Sequence, residues 1–260
     1  MLSFNEISNL HKIFNDRKFV FLLSHMRSYT SLTGHIFGSH AEIEGYYEMH
    51  KGYFSWKSLY HAKLLYYSSH TIKKSATFLF DKILHNEHYM APEVLNRADV
   101  KPLISIRNPK ETIPSIVRHF NKVNSSHEFT DIDIATNYYI TRLETLANLS
   151  HKIHKNYFYF DAETIKTDTL SLLNALSHYL ELTIDLSPEY QKMERTGKRF
   201  SGDSSGELLS GKIQKAEKTI TDGNILPADL LSKANQAYLN ARTIIINNAD
   251  KHKVIENTNA

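Results

Sequence analysis

The fold is decided by residues 19–32, which have the sequence FVFLLSHMRSYTSL. Five apolar residues, Phe19 to Leu23, predict a buried strand, and the polar segment from Ser24 to Ser31 predicts a loop. Leu32, followed by Ile36 and Phe37, has the spacing of a helix face. A strand, a polar loop and a helix in this order are typical of an α/β unit.

A second unit of the same kind follows at residues 102–115. Pro102 to Ile106 predicts a short buried strand, and Arg107 begins the turn after it. Asn108 as N-cap, Pro109 at the first helical position and Glu111 three residues after the cap predict a helix start. Pro114 would lie inside this helix, where proline costs about 3 kcal/mol unless the helix kinks.

The rest of the chain continues the alternation of strands and helices. Further strands are predicted at residues 43–48, 77–80 and 157–160, and helices at 131–152 and 227–246. This alternation predicts a central parallel sheet flanked by helices. We expect one domain over residues 1–260, with a mobile loop at 196–206 and a frayed tail at 250–260.

Composition narrows the classes of function. The chain of 260 residues contains no cysteine, which excludes disulfides and thiolate chemistry and favours a cytoplasmic location. Neither a signal peptide nor an apolar run long enough to span a bilayer is expected. The net charge of +3 suits an anionic ligand and falls short of the basic patches of nucleic-acid-binding proteins.

Both strand-to-helix turns are candidate anion sites, because helix N-termini present free N–H groups beyond the carboxyl ends of parallel strands. The first turn offers Arg27 and the hydroxyl side chains of its neighbours but lacks the Gly-Lys-Ser/Thr ending of a nucleotide triphosphatase P-loop. The second offers Arg107, with Ser115 eight residues later. ATP chemistry with Mg²⁺ therefore has little support in the sequence.

These segments resemble sulfotransferases that use 3'-phosphoadenosine-5'-phosphosulfate (PAPS), which have a P-loop NTPase-like fold. The resemblance covers residues 19–213 and implies that the first loop wraps the 5'-phosphosulfate, that Arg107 and Ser115 bind the 3'-phosphate, and that a later loop covers the nucleotide. Tyr29 departs from the pattern by standing where the family usually has glycine, and a bulky residue adopts positive φ with difficulty. The implied contacts are, in the first loop, Arg27, Ser28, Tyr29, Thr30 and Ser31, and in the later loop Lys198, Arg199 and Gly202.

The resemblance also implies the catalytic groups. Arg27 and Lys82 correspond to cations that stabilise the leaving phosphate, and no metal is required. The acceptor proton needs a base, for which we prefer Glu48, then His85, then His50. His85 and His88 alone form a weak metal signal, since a third ligand is missing from the pattern.

The acceptor is expected to be a carbohydrate or another small alcohol, bound in a pocket with aromatic walls between Tyr46 and Tyr67, although core packing accounts for most of those rings. Two alternatives remain open. One is a kinase-like phosphotransferase, and the other is a module that binds PAP (3'-phosphoadenosine-5'-phosphate) without catalysis. The sequence assigns no oligomeric state.

Overall fold

The protein is built on a six-stranded, all-parallel sheet with strand order β2-β3-β1-β4-β5-β6. The computed structural model describes residues 16–154, 156–194, 196, 207–214 and 226–255. The strands are β1 (Lys18–Leu23), β2 (Ile43–Glu44), β3 (Phe78–Ile83), β4 (Val100–Ile106), β5 (Phe158–Asp161) and β6 (Lys251–Lys253).

Helices flank this sheet, which confirms the α/β prediction. They are α1 (Thr30–Ser39), α2 (Trp56–Ser69), α3 (Pro92–Leu95), α4 (Pro109–Val123), α5 (Ile132–Ser150), α6 (Thr164–Thr167), α7 (Thr169–Leu180) and α8 (Ala228–Asn248). Short 3₁₀ turns occur at Glu128–Thr130 and Glu207–Ser210.

Strand β1 is apolar from Phe19 to Leu23 because both of its faces are covered there. Phe19, Phe21 and Leu23 belong to a core formed with helices α2, α4, α5 and α8. Val20 and Leu22 belong to the core on the opposite face, formed with α1 and α7. The five-residue apolar run therefore marks the centre of the sheet.

Strands β2 and β3 differ from their predictions in ways that affect candidate site residues. Strand β2 ends at Glu44 instead of residue 48, because the chain turns at Gly45 with φ 84° and lies so close to β3 that a Cβ there would be 2.4 Å from the Phe80 carbonyl oxygen. Strand β3 continues to Ile83, so that Lys82 lies inside the strand and not after it.

The tail contains a strand that was not predicted, and the helix after Arg107 contains Pro114 as expected. Residues Lys251–Lys253 form strand β6, which pairs in parallel with β5, so this part of the segment predicted to fray is ordered. Helix α4 runs without interruption from Pro109 to Val123 although Pro114 lies within it and is buried.

Sheet topology places the candidate site. Strand β1 pairs with β3 on one side and with β4 on the other. The carboxyl ends of these three neighbouring strands carry the loop before α1, the segment from Lys82 to His85, and Arg107. In open α/β sheets, ligands bind at such a switch point.

Candidate active site

The loop after β1 has an unusual backbone. Arg27 and Tyr29 adopt the left-handed conformation with φ 61° and 55°, and Tyr29 is the N-cap of helix α1 without a side-chain capping bond. Such residues each cost about 1–3 kcal/mol and are frequent at ligand sites. Tyr29 adopts positive φ although a bulky residue does so with difficulty, and its hydroxyl and ring contact Arg107 in that conformation.

Serine side chains attach this loop to the sheet. The Ser24 hydroxyl lies 2.7 Å from the Ser105 carbonyl oxygen of β4 and 3.0 Å from the Ser28 hydroxyl. All three serines are buried. Ser28 is therefore engaged in holding the loop, while Thr30 and Ser31 lie in the first turn of α1, where backbone N–H groups lack intrahelical acceptors.

The second turn meets the first through Arg107. Its guanidinium donates to the Arg27 carbonyl oxygen at 3.0 Å and to the Tyr29 hydroxyl at 2.7 Å, and it also pairs with Glu111. The Tyr29 ring lies against Arg107, with its centroid 4.2 Å from Cζ. Arg27 in turn donates from Nε to Ser115 Oγ at 3.0 Å. The predicted 5'- and 3'-phosphate residues thus form one cluster.

The start of helix α4 agrees with its sequence prediction. The Asn108 side chain accepts a hydrogen bond from the Glu111 N–H at 3.3 Å, and Pro109 occupies the first helical position. This cap sets the direction of the helix and so brings Ser115 towards Arg27.

A buried histidine joins the two turns. His25 accepts a hydrogen bond from the Arg107 N–H at 2.9 Å through Nε2, and its Nδ1 lies 2.9 Å from the Met26 carbonyl oxygen. Burial, with the charges of Arg142 and Arg107 adding to it, lowers the pKa of His25 to about 3. The neutral ring is required, because a protonated Nε2 could not accept from Arg107.

We therefore expect stability to fall as the pH decreases below 6.5, the ordinary pKa of histidine, because the unfolded chain binds a proton that native His25 does not. The loss should reach about 2 kcal/mol by pH 5 and continue towards pH 3. Urea denaturation of the parent and of His25→Gln at pH 7 and pH 5 measures this loss of stability.

The variant should be less stable at pH 7 but should lose less stability than the parent on acidification. An equal loss in both proteins would contradict the role of His25.

Strand β3 brings a lysine to the same place. Lys82 is buried, and its Nζ donates to Ser31 Oγ of helix α1 at 3.3 Å. Its neighbour Asp81 is tolerated inside the strand because it accepts hydrogen bonds from the Tyr53 hydroxyl at 2.7 Å and the Met49 N–H at 2.9 Å. Lys82 is therefore directed at the start of α1.

Glu48 lies beside Lys82. Its side chain is only 9% exposed, and burial raises its pKa, while the charges of Lys82 and His88 and a hydrogen bond from the Leu84 N–H oppose this rise. Oε1 is buried without a hydrogen-bond partner among the described residues. A raised pKa and an oxygen with a free lone pair suit a general base.

Histidines surround this carboxylate. His50 Nδ1 lies 3.9 Å from Glu48 Oε1, and the ring of His88 lies 5.5 Å from that of His50 and 6.1 Å from that of His85. Burial, followed by the charge of Arg142, lowers the pKa of His85 to about 4, so that this ring is neutral at pH 7. The three candidate bases are thus brought close to one another.

Sequence reasoning missed two residues of helix α5 that hold these strand ends. Arg142, although fully buried, donates to the carbonyl oxygens of Ser24 at 2.8 Å and Ile83 at 2.6 Å. The Tyr138 hydroxyl donates to the Leu84 carbonyl oxygen and accepts from the Met26 N–H. The sequence signal that could have found them was Arg142 itself, a cation one helical turn after Tyr138 on a face that is otherwise apolar.

A cleft of about 320 Å³ opens next to His85. Phe129 and Tyr138 supply its aromatic surface. By contrast, Tyr53, Tyr66 and Tyr67 are buried in the core, so these members of the aromatic stretch do not line an open pocket. The cleft is lined by His85, Asn86, Glu87, Phe129, Ile134, Asn137, Tyr138 and Thr141.

Solved structures with the same arrangement of strands and helices were found. A sulfotransferase domain from the curacin biosynthetic pathway matches 85% of this chain and 98% of its own, with a TM-score of 0.56 and 16% identity. This chain has the sulfotransferase fold. A second sulfotransferase domain, from the olefin synthase of Synechococcus PCC 7002, matches 84% of the chain and 93% of its own, with a TM-score of 0.54 and 16% identity.

Sequence comparison adds no closer relative, since no protein-family model and no curated protein matches. Lys198, Arg199 and Gly202, predicted from the same fold family to contact the nucleotide, lie outside the described residues. In the part of the chain that the structure describes, no helix is both long and apolar enough to cross a membrane.

Proposed function

We propose that this protein transfers a sulfuryl group from PAPS to the hydroxyl of a carbohydrate or another small alcohol, releasing PAP, in the cytoplasm. The observation that carries the proposal is the meeting of Arg27, Lys82 and Arg107 around the start of helix α1, at the switch point of a sulfotransferase fold. Three cations from three strand ends suit a ligand with several anionic groups.

The donor set of the first loop fits a phosphosulfate. PAPS supplies the activated sulfuryl group, and the protein must position it and neutralise charge that develops on the leaving oxygen. Arg27, Lys82 and the N-terminus of α1 supply positive charge, and Thr30 and Ser31 supply hydroxyl donors. Ser28 shapes the loop through Ser24, and Lys198, Arg199 and Gly202 are proposed to add contacts from the later loop.

Arg107 and Ser115 are proposed to bind the 3'-phosphate. In this structure Glu111 and the Tyr29 hydroxyl already contact the Arg107 guanidinium, and Ser115 accepts from Arg27. Arg107 Nε is buried and has no hydrogen-bond partner among the described residues, which supports an additional acceptor in this position. A phosphate that also binds the terminal nitrogen of the Arg107 guanidinium would displace the Glu111 carboxylate.

Glu48 is proposed to remove the proton of the acceptor hydroxyl. Its Oε1 lacks a hydrogen bond and its carboxylate is near Lys82, so a hydroxyl between them would approach both base and leaving group. His85 borders the 320 Å³ cleft and is the second candidate, and the exposed His50 is the third. The cleft offers the acceptor both aromatic and polar contacts.

Ligand-dependent melting tests this proposal. PAP should raise the melting temperature in EDTA, because the cations that would bind it belong to the protein. A ligand at 100 times its dissociation constant stabilises by about 2.7 kcal/mol. ATP with Mg²⁺ should stabilise less, because β4 carries no acidic residue to hold the metal.

Equal stabilisation by MgATP would favour the kinase-like alternative and remove the sulfotransferase proposal. PAP binding without transfer to any of a panel of sugars and phenols would favour the non-catalytic module.

A further inference from the structure

Glu48, His50 and His88 form a cluster whose ligand atoms all lie within 4.8 Å of one another. They come from the chain after β2 and from the chain after β3, so the sequence separates His88 from the other two by almost 40 residues. Two imidazoles with one carboxylate are a ligand set of zinc and other first-row divalent ions, whereas magnesium and calcium prefer oxygen alone.

The buried oxygen of Glu48 points to a ligand at this place. Oε1 has no hydrogen-bond donor among the described residues, although the side chain is 91% buried. Its nearest cluster neighbour, His50 Nδ1, is 3.9 Å away, which is too long for a hydrogen bond. A buried carboxylate oxygen is stable when a positive partner satisfies it, and an ion between these two atoms would do so.

The neighbouring charges limit which ion fits. Lys82 and Arg142 act on the Glu48 carboxylate, so the cluster has little excess negative charge to attract a hard cation. Binding must therefore depend on coordinate bonds from the imidazole nitrogens, which favours Zn²⁺. The ring of His85 lies 6.1 Å from that of His88, so a third imidazole is close to the cluster.

We propose that Glu48, His50 and His88 bind Zn²⁺ reversibly and that the bound ion inhibits transfer. The ion takes the oxygen that would otherwise accept the proton of the acceptor hydroxyl. The inhibition rests on the proposed function, whereas the binding does not. The protein would then catalyse transfer without metal and be inhibited by zinc.

Zinc binding is measured first, on tag-free full-length protein stripped with EDTA and dialysed. Calorimetric titration with ZnCl₂ should show one site that is tighter than any other. His50→Ala and His88→Ala should each weaken it by at least about tenfold, as loss of a ligand exceeds the effect of losing an outer partner. His61→Ala, which removes an exposed histidine of helix α2, should leave it unchanged.

Cobalt provides a second readout. Co²⁺ should give visible absorption bands of imidazole and carboxylate coordination in the parent and in His61→Ala, and these bands should be lost in His88→Ala. Circular dichroism and melting of each variant in EDTA identify any that fail to fold, and for such a position the Gln variant is used instead.

Several outcomes overturn the proposal. Zinc binding that is equal in His50→Ala, His88→Ala and His61→Ala means that other histidines bind the ion and the cluster is not a site. Site-specific binding with transfer unaffected by saturating zinc removes the inhibition. If zinc binds at the cluster while no PAP binding is found, the proposed function fails and the metal site stands.

Discussion

Glu48→Gln is expected to reduce sulfuryl transfer about 100-fold or more, the usual contribution of a general base. The amide keeps the size of the side chain but cannot accept the proton. The positive charge of Lys82 interacts with the Glu48 carboxylate. Without the negative charge of Glu48, Lys82 should attract a bound phosphate more strongly. PAP affinity should therefore stay within a few-fold of the parent, and any change should be a gain. Steady-state kinetics in EDTA and PAP titration separate the two effects.

His85→Asn is the matched control, because His85 borders the cleft and is neutral at pH 7. If this variant lost transfer while Glu48→Gln kept it, the base would be His85. If His50→Asn alone lost transfer, the third candidate would take the role. Normal transfer in all three variants would leave the proton to the acceptor or to water and would contradict our position for the acceptor site.

Arg107→Ala is expected to weaken PAP binding by roughly 10- to 150-fold, which corresponds to a charge-assisted contact of about 1.5–3 kcal/mol. Adenosine 5'-phosphosulfate lacks the 3'-phosphate and should be affected much less. Ser115→Ala should act in the same direction with a smaller effect, since its hydroxyl is neutral. Calorimetry with both ligands gives the ratio that identifies the 3'-phosphate site.

Glu111→Gln is a control that should change PAP affinity in the direction opposite to Arg107→Ala. Glu111 pairs with the Arg107 guanidinium, where we propose that the 3'-phosphate binds, so removing its charge should strengthen PAP binding and leave binding of adenosine 5'-phosphosulfate unchanged. Arg107 also holds the backbone of the first loop through the Arg27 carbonyl. Equal weakening of both ligands by Arg107→Ala would therefore mean that the residue supports the loop and does not contact the 3'-phosphate.

Local rules predicted the elements that local interactions decide. Phe19 to Leu23 formed the central strand because its apolar run could only be stable with both faces covered. Asn108, Pro109 and Glu111 formed a helix start because capping acts within one turn of the chain. The parallel sheet followed from the alternation of such units, and these elements were sufficient to place two candidate anion turns at strand ends.

Local patterns did not predict the features that a distant contact decides. Asp81 and Lys82 look like a strand end, yet β3 continues through them because Tyr53 and Ser31 satisfy their side chains. Tyr29 adopts positive φ, against its local preference, in a loop where Arg107 binds its hydroxyl and ring. Strand β6 forms in a polar tail because β5 offers it an edge.

The sequence by itself therefore determined the α/β class, the strand-loop-helix turn at residues 19–32 and the capped turn after Ile106, since each depends on neighbours a few positions away. Only the tertiary structure decided that Arg27 contacts Ser115, 88 positions later, and that Arg142 holds the ends of β1 and β3. It alone brought Glu48, His50 and His88 together. These contacts depend on which strands become neighbours in the sheet, and no periodicity or capping pattern carries that information.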